Sequence, residues 1–207
     1  MKGSMKKLAV FVVVGAIATF IAAAIASAGD KHWKTLHGEY ASTGTSTCLT
    51  SDLGFTTILT PLPNSKVFLN SHSALGVMTF NRDGTGTLQT KAVFMVPPPA
   101  PGAPGPSVPI AGSFISSLQF TYNITDDGTI TTELVPGTFL ATYLTGPIPT
   151  GTTFSLDQWS LSGMISADHK TLTLGSGGTA VEESYNSLGG HFHQICYRSI
   201  VLILVDE

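Results

Sequence analysis

From residue 36 onward, apolar and polar side chains alternate with a period of two along much of the chain. That is the pattern of strands with one buried face. A first strand is expected over residues 36–49, where Thr43, Thr45 and Thr47 share one face and Tyr40, Ser42, Ser46 and Cys48 share the other. Three hairpins follow from turn chemistry. Residues 76–80 run into Asn81-Arg82-Asp83-Gly84, and a strand resumes over 85–95. Residues 114–124 run into Thr125-Asp126-Asp127-Gly128 and resume over 129–135. Residues 159–165 run into Ala167-Asp168-His169-Lys170 and resume over 171–174. Asp-Gly supplies the positive-φ residue that a tight hairpin needs. His169 stands where the first two copies have glycine, so the third turn is expected to differ.

The first Asp-Gly lies 44 residues before the second, and the third turn follows about 41 residues later. This spacing is too irregular for a solenoid or a propeller but suits a meander. The final strands are expected over 180–185 and 191–204. The second ends in an unbroken apolar run, Ile200-Val201-Leu202-Ile203-Leu204-Val205, which predicts cover on both faces.

Two segments depart from the alternation. Residues 97–109 read PPPAPGAPGPSVP, with seven prolines. Proline offers no ladder donor, so a loop is expected there, serving as an inserted connection or as a partner-docking segment. At the N-terminus, Lys2, Lys6 and Lys7 precede an apolar stretch over residues 8–25 and the small residues Ala26-Ser27-Ala28. That layout predicts a signal peptide over residues 1–28, an N-terminal signal helix removed on export, with an uncleaved membrane anchor as the alternative. Residues 29–207 are then a single barrel domain. The protein is expected to be exported, to the periplasm or the extracellular medium, with no membrane association once the signal is cleaved. A cysteine to carry a lipoprotein anchor is lacking after the small residues.

Composition sharpens the fold class. Twenty-six threonines fall between Thr35 and Thr179, and only 11% of the chain is charged. Threonine is β-branched and fits a pleated, half-exposed surface. The expected fold is all-β, an antiparallel up-and-down barrel of about 8–10 strands, with a β-sandwich as the alternative. Without the three leader lysines, seven basic residues face thirteen acidic ones. No basic patch is left to neutralise phosphates, so nucleic acid is not an expected partner.

Cys48 and Cys196 lie on the expected first and last strands. Two cysteines in an exported chain predict a disulfide, which would make those strands neighbours or bring them face to face. A closed barrel needs its end strands to meet, although a sandwich can bring them together too.

Candidate chemistry is sparse. His191 and His193 are one residue apart on a strand, so their side chains point the same way and could hold copper or zinc. A third ligand would have to come from Glu182, Glu183 or a histidine such as His37. Glu182 and Glu183 are adjacent and face opposite sides, so they cannot work as an acid–base pair. Residues 81–86 resemble the opening of a calcium loop, but Ala92 stands where the closing carboxylate belongs. Gly175-Ser176-Gly177-Gly178-Thr179-Ala180 matches a dinucleotide fingerprint without the helix that must follow it. No catalytic or cofactor motif is recognised, and no cofactor is expected. Tyr40, Phe120, Tyr122 and Trp159 are candidate ligand contacts if the interior is hollow.

His37-Gly38-Glu39-Tyr40, with Gly44-Thr45 and Cys48 beyond, resembles the opening strand of lipocalin-like barrels, with Tyr40 where that family has tryptophan. The resemblance covers about a dozen residues and implies a closed barrel of eight or more strands holding a small hydrophobic molecule. The expected function is non-enzymatic: ligand binding in the interior, or alternatively a structural or surface-interaction role, or metal binding through His191 and His193.

Overall fold

A computed structural model describes residues 35–98, 108–178 and 180–206. The expected signal peptide and most of the proline-rich segment lie outside these residues. The described chain is all-β and antiparallel, with eleven strands. They are β1 (Gly38–Ser51), β2 (Val67–Phe80), β3 (Thr85–Val96), β4 (Ile110–Ile124), β5 (Thr129–Leu134), β6 (Leu140–Thr145), β7 (Thr153–Leu156), β8 (Ser160–Ile165), β9 (Thr171–Gly175), β10 (Glu182–Asn186) and β11 (His191–Asp206).

The pairings form a closed circuit. β1 pairs with β2 on one side and with β11 on the other, so the first and last strands close the ring. β4 pairs with β5 through Phe120–Ile124 and with β6 through Ser113–Ser117. β5 and β6 therefore continue one another along the same neighbour. β8 and β7 do the same, and so do β9 and β10, each pair flanking its neighbours in the same order. The molecule is thus an eight-stranded up-and-down barrel in which three of the eight strands are broken at the waist, at residues 135–139, 157–159 and 176–181. Five strands, β1 to β4 and β11, run its whole length.

This topology explains the spacing in the sequence. Alternate turns of a meander lie at the same end, so two barrel strands and the one connection between them separate successive Asp turns. All three Asp turns cap one end. In each, the aspartate Oδ1 accepts the backbone N–H two residues on, from Thr85, Thr129 and Lys170 at 3.0, 3.0 and 3.1 Å. Hydroxyl donors from Thr85, Thr125 and Ser166, and then these backbone hydrogen bonds, hold Asp83, Asp127 and Asp168 below the usual carboxylate range. The third turn differs less than its sequence suggests. His169 adopts φ 60°, the same left-handed region as Gly84 and Gly128, and only the ladder is offset, with Ser166 N–H reaching Thr171 O at 2.8 Å. The Tyr40 hydroxyl fixes this turn by donating to His169 O at 2.8 Å.

The capped half is packed solid. Leu36, Tyr40, Met78, Phe80, Phe120, Ile130, Leu161, Leu172 and Leu202 are fully buried there. Phe80 meets Tyr40, Phe120 and Tyr122 edge to face, with ring centroids 5.2–5.4 Å apart. Gly86 makes room for this stack, since a Cβ there would lie 2.2 Å from Phe120 Cζ. Leu36 plugs the end. Its N–H donates to the Tyr122 hydroxyl at 3.1 Å, and that hydroxyl has Leu36 O at 2.7 Å and Asn81 O at 2.6 Å to receive its proton.

The last strand corrects one expectation. Leu202 and Leu204 point into the barrel, but Val201, Ile203 and Val205 point outward and are 37, 56 and 68% exposed. A barrel wall has only one packed face, so a continuous apolar run does not imply cover on both sides. Three segments did not show in the pattern: β6, β7 and the first half of β2.

Candidate functional site

Above the waist the barrel is hollow. A chamber of about 570 Å³ lies between the packed half and the end from which residues 52–66, 97–109, 146–152 and 187–190 connect the strands. Eight strands leave an interior just wide enough to be filled by side chains or to hold one small ligand. Here the small inward residues Gly44, Ser46, Ala74, Thr90, Ala92, Ser116 and Ala141 leave the space open.

The lining is two-sided. Phe94, Phe114, Leu118, Tyr143, Phe154 and Leu156, from β3, β4, β6 and β7, form an aromatic and aliphatic wall. Phe94, Phe114 and Tyr143 pack on one another with centroids 5.6–6.3 Å apart. The other wall, from β2, β1, β11 and β10, carries most of the hydrogen-bonding groups, Asn70, His72, Thr50, Gln194, Arg198 and Asn186, together with the aromatic pair Phe68 and Phe192.

Each polar group has a distinct state. Arg198 forms a two-pronged ion pair with Glu182, its Nη1 on Oε1 and its Nη2 2.6 Å from Oε2. Gln194 Nε2 donates to the same Oε2 at 3.0 Å. His72 Nδ1 is 3.1 Å from Ser46 Oγ, and the ring meets Phe114 and Phe94 edge-on. Burial, and then the positive Arg198, push the His72 imidazolium pKa down to about 4. The ring is therefore neutral at physiological pH. Burial also raises the Tyr143 phenol. Asn70 Nδ2 donates to Thr50 Oγ1 at 3.2 Å, but its buried Oδ1 has no partner among the described residues. A buried acceptor left unmade is costly, so Oδ1 calls for a donor from water or a guest.

The sequence-derived candidates separate along the barrel. Trp159 lines the chamber at the waist, 6.4 Å from Phe120 between ring centroids. Tyr40, Phe120 and Tyr122 lie below, in the packed half, and do not line the chamber. His72, Asn70, Gln194 and Arg198 escaped sequence reasoning. Their only signal was polar residues at even positions on strands whose other even positions are apolar.

Cys48 and Cys196 form a disulfide and stand directly opposite each other on β1 and β11, with Cα atoms 4.1 Å apart. Such bonds persist in oxidising compartments. Among the described residues, no helix is long and apolar enough to cross a membrane.

His191 and His193 lie on the outer wall. Glu183 is directly opposite His193 on β10, and His191 Nε2 is 3.3 Å from Glu183 Oε2. Glu182 points inward instead, and His37 is occupied elsewhere, with its Nε2 3.1 Å from Arg82 Nη2. The calcium-like residues 81–86 form the first Asp turn, and the dinucleotide-like stretch starts on Gly175, the last residue of β9, with Thr179 outside the described residues.

Fold and site together define an eight-stranded barrel with one solid half and one hollow, amphipathic half. The chain matches no protein-family model and no curated protein.

Proposed function

We propose that the protein is an exported, non-enzymatic barrel that binds one small, mainly apolar molecule in the upper chamber. The carrying observation is the chamber itself, about 570 Å³ with an aromatic wall facing a hydrogen-bonding wall. Pockets of a few hundred Å³ with mostly apolar walls and a few convergent polar groups suit drug-sized ligands. The guest would be a molecule of drug-like size. A flat or ring-bearing face would pack on Phe94, Phe114 and Tyr143. A polar edge with a donor would meet Asn70 Oδ1 and lie near neutral His72. The resemblance to lipocalin-like barrels belongs with this reading, and the disulfide supports export to the periplasm or the extracellular medium.

Native mass spectrometry of protein purified from its source tests the proposal, together with an Ala92→Phe variant that fills the chamber. The expected result is a co-purifying small molecule on the wild type that is lost from the variant, while the disulfide and the circular dichroism stay unchanged. An empty wild-type protein that also binds no apolar fluorescent probe overturns the reading. So does a ligand retained unchanged in Ala92→Phe.

A further inference from the structure

The outer wall carries a second cluster, separate from the chamber. We infer that Glu183, His191 and His193 form a binding site for a divalent transition-metal ion, zinc or copper, on the outside of the barrel where β10 meets β11.

The strand geometry builds it. His191 and His193 are two apart on β11 and share its outer face, and Glu183 projects from the neighbouring strand beside them. The three ligand atoms all lie within 4.8 Å of one another. In a tetrahedral site with bonds of about 2.0–2.2 Å, ligand atoms stand roughly 3.4 Å apart. His191 Nε2 and Glu183 Oε2 are already at 3.3 Å. The two imidazoles have centroids 4.7 Å apart, so modest side-chain rotation brings the third ligand in.

The supporting contacts are those a metal site uses. The Tyr185 hydroxyl donates to Glu183 Oε2, and the Tyr185 ring stacks on His191 with centroids 4.5 Å apart and an angle of 8°. These contacts orient the carboxylate and one ring, leaving the second lone pair of Oε2 to the ion. His193 is backed by Gly54, whose φ of 97° turns the chain over the ring and where a Cβ would sit 3.4 Å from Cδ2. Ser51 holds that turn by donating to Gly54 O at 2.9 Å and accepting Gly54 N–H at 3.1 Å. A surface ion pair would account for Glu183 and His191, but not for a second imidazole held at the same point. Two nitrogens and one carboxylate leave a fourth position for water. This donor set favours zinc and copper over calcium and magnesium, which prefer all-oxygen shells.

Isothermal titration of the tag-free, disulfide-bonded protein with zinc chloride tests the site. Saturable one-to-one binding is expected, with no binding of calcium. The His191→Ala/His193→Ala double variant should lose at least about 100-fold in affinity, and Glu183→Gln about 10-fold. X-ray absorption of the zinc-loaded protein should show two imidazoles at about 2.0–2.1 Å. Absence of saturable binding, unchanged affinity in the double variant, or a shell of oxygens alone overturns the inference. All three residues face outward, so Ala92→Phe should bind zinc like the wild type, and the two readings succeed or fail separately.

Discussion

Glu182 and Glu183 are consecutive in the chain, and their carboxylates lie on opposite sides of the barrel wall. Glu182 pairs with Arg198 inside, and Glu183 accepts from Tyr185 outside, beside His191. The two-residue repeat of a strand makes this unavoidable. One carboxylate therefore belongs to the interior charge network and the other to the surface histidine cluster.

The inner pair should be sensitive to single substitutions and tolerant of double ones. Removing one partner strands a charge in the wall, which costs about 3–5 kcal/mol. Glu182→Leu alone is expected to destabilise by that amount in urea unfolding, whereas Glu182→Leu/Arg198→Met should cost clearly less. Equal losses in the single and double variants would contradict the pairing.

The Cys48–Cys196 bond closes a loop with a sequence separation of 148 residues. Chain entropy assigns such a bond up to about 5 kcal/mol. Since β1 and β11 are also hydrogen-bonded side by side, Cys48→Ser/Cys196→Ser should keep the barrel but lower its urea midpoint strongly. An unchanged midpoint would show that the strands hold without the bond.

His72 predicts an acid weakness. Its folded pKa of about 4 lies below the unfolded value of 6.5. The unfolded chain therefore binds the proton first as pH falls. Stability from this residue is fully present above pH 6.5 and is lost progressively down to about 4. The loss is at most about 3 kcal/mol, and less where water in the chamber solvates the ring. His72→Phe should flatten the stability profile between those limits, as measured by thermal unfolding across pH. A profile as steep as wild type would place the acid sensitivity elsewhere.

The plug at the capped end depends on one hydroxyl. Tyr122→Phe leaves Leu36 N–H and two carbonyls without that partner, and is expected to cost about 1–3 kcal/mol. Gly86→Ala should cost at least as much, because the added methyl collides with Phe120. Urea unfolding of the two variants checks both. Little change in Tyr122→Phe would mean that Leu36 seals the end by packing alone.

Much of the barrel was legible in the alternation of side chains and in three Asp-centred turns. β1, β3, β4, β5, β8 and β9 lie close to where these signals put them. The disulfide followed from two cysteines on the end strands. β6 and β7 were hidden because they are short, and because Pro136, Gly137, Pro147, Pro149 and Gly151 surround them with turn residues. The first half of β2 was hidden because its inward residues include Asn70 and His72, which blur the alternation. Those polar interruptions are the chamber's hydrogen-bonding wall. The hollow half was unreadable for a related reason: small residues at inward positions look alike in sequence whether a neighbour fills the gap or leaves it open.

Three of the four connections at the open end, residues 52–66, 97–109 and 146–152, are long or rich in proline and glycine, while those at the capped end are tight turns bound into the core. Insertions, substitutions and altered loop lengths at the mouth can thus accumulate without disturbing the scaffold beneath. Related chains could come to hold different guests while keeping one base, and the plugged end would change slowest in descent.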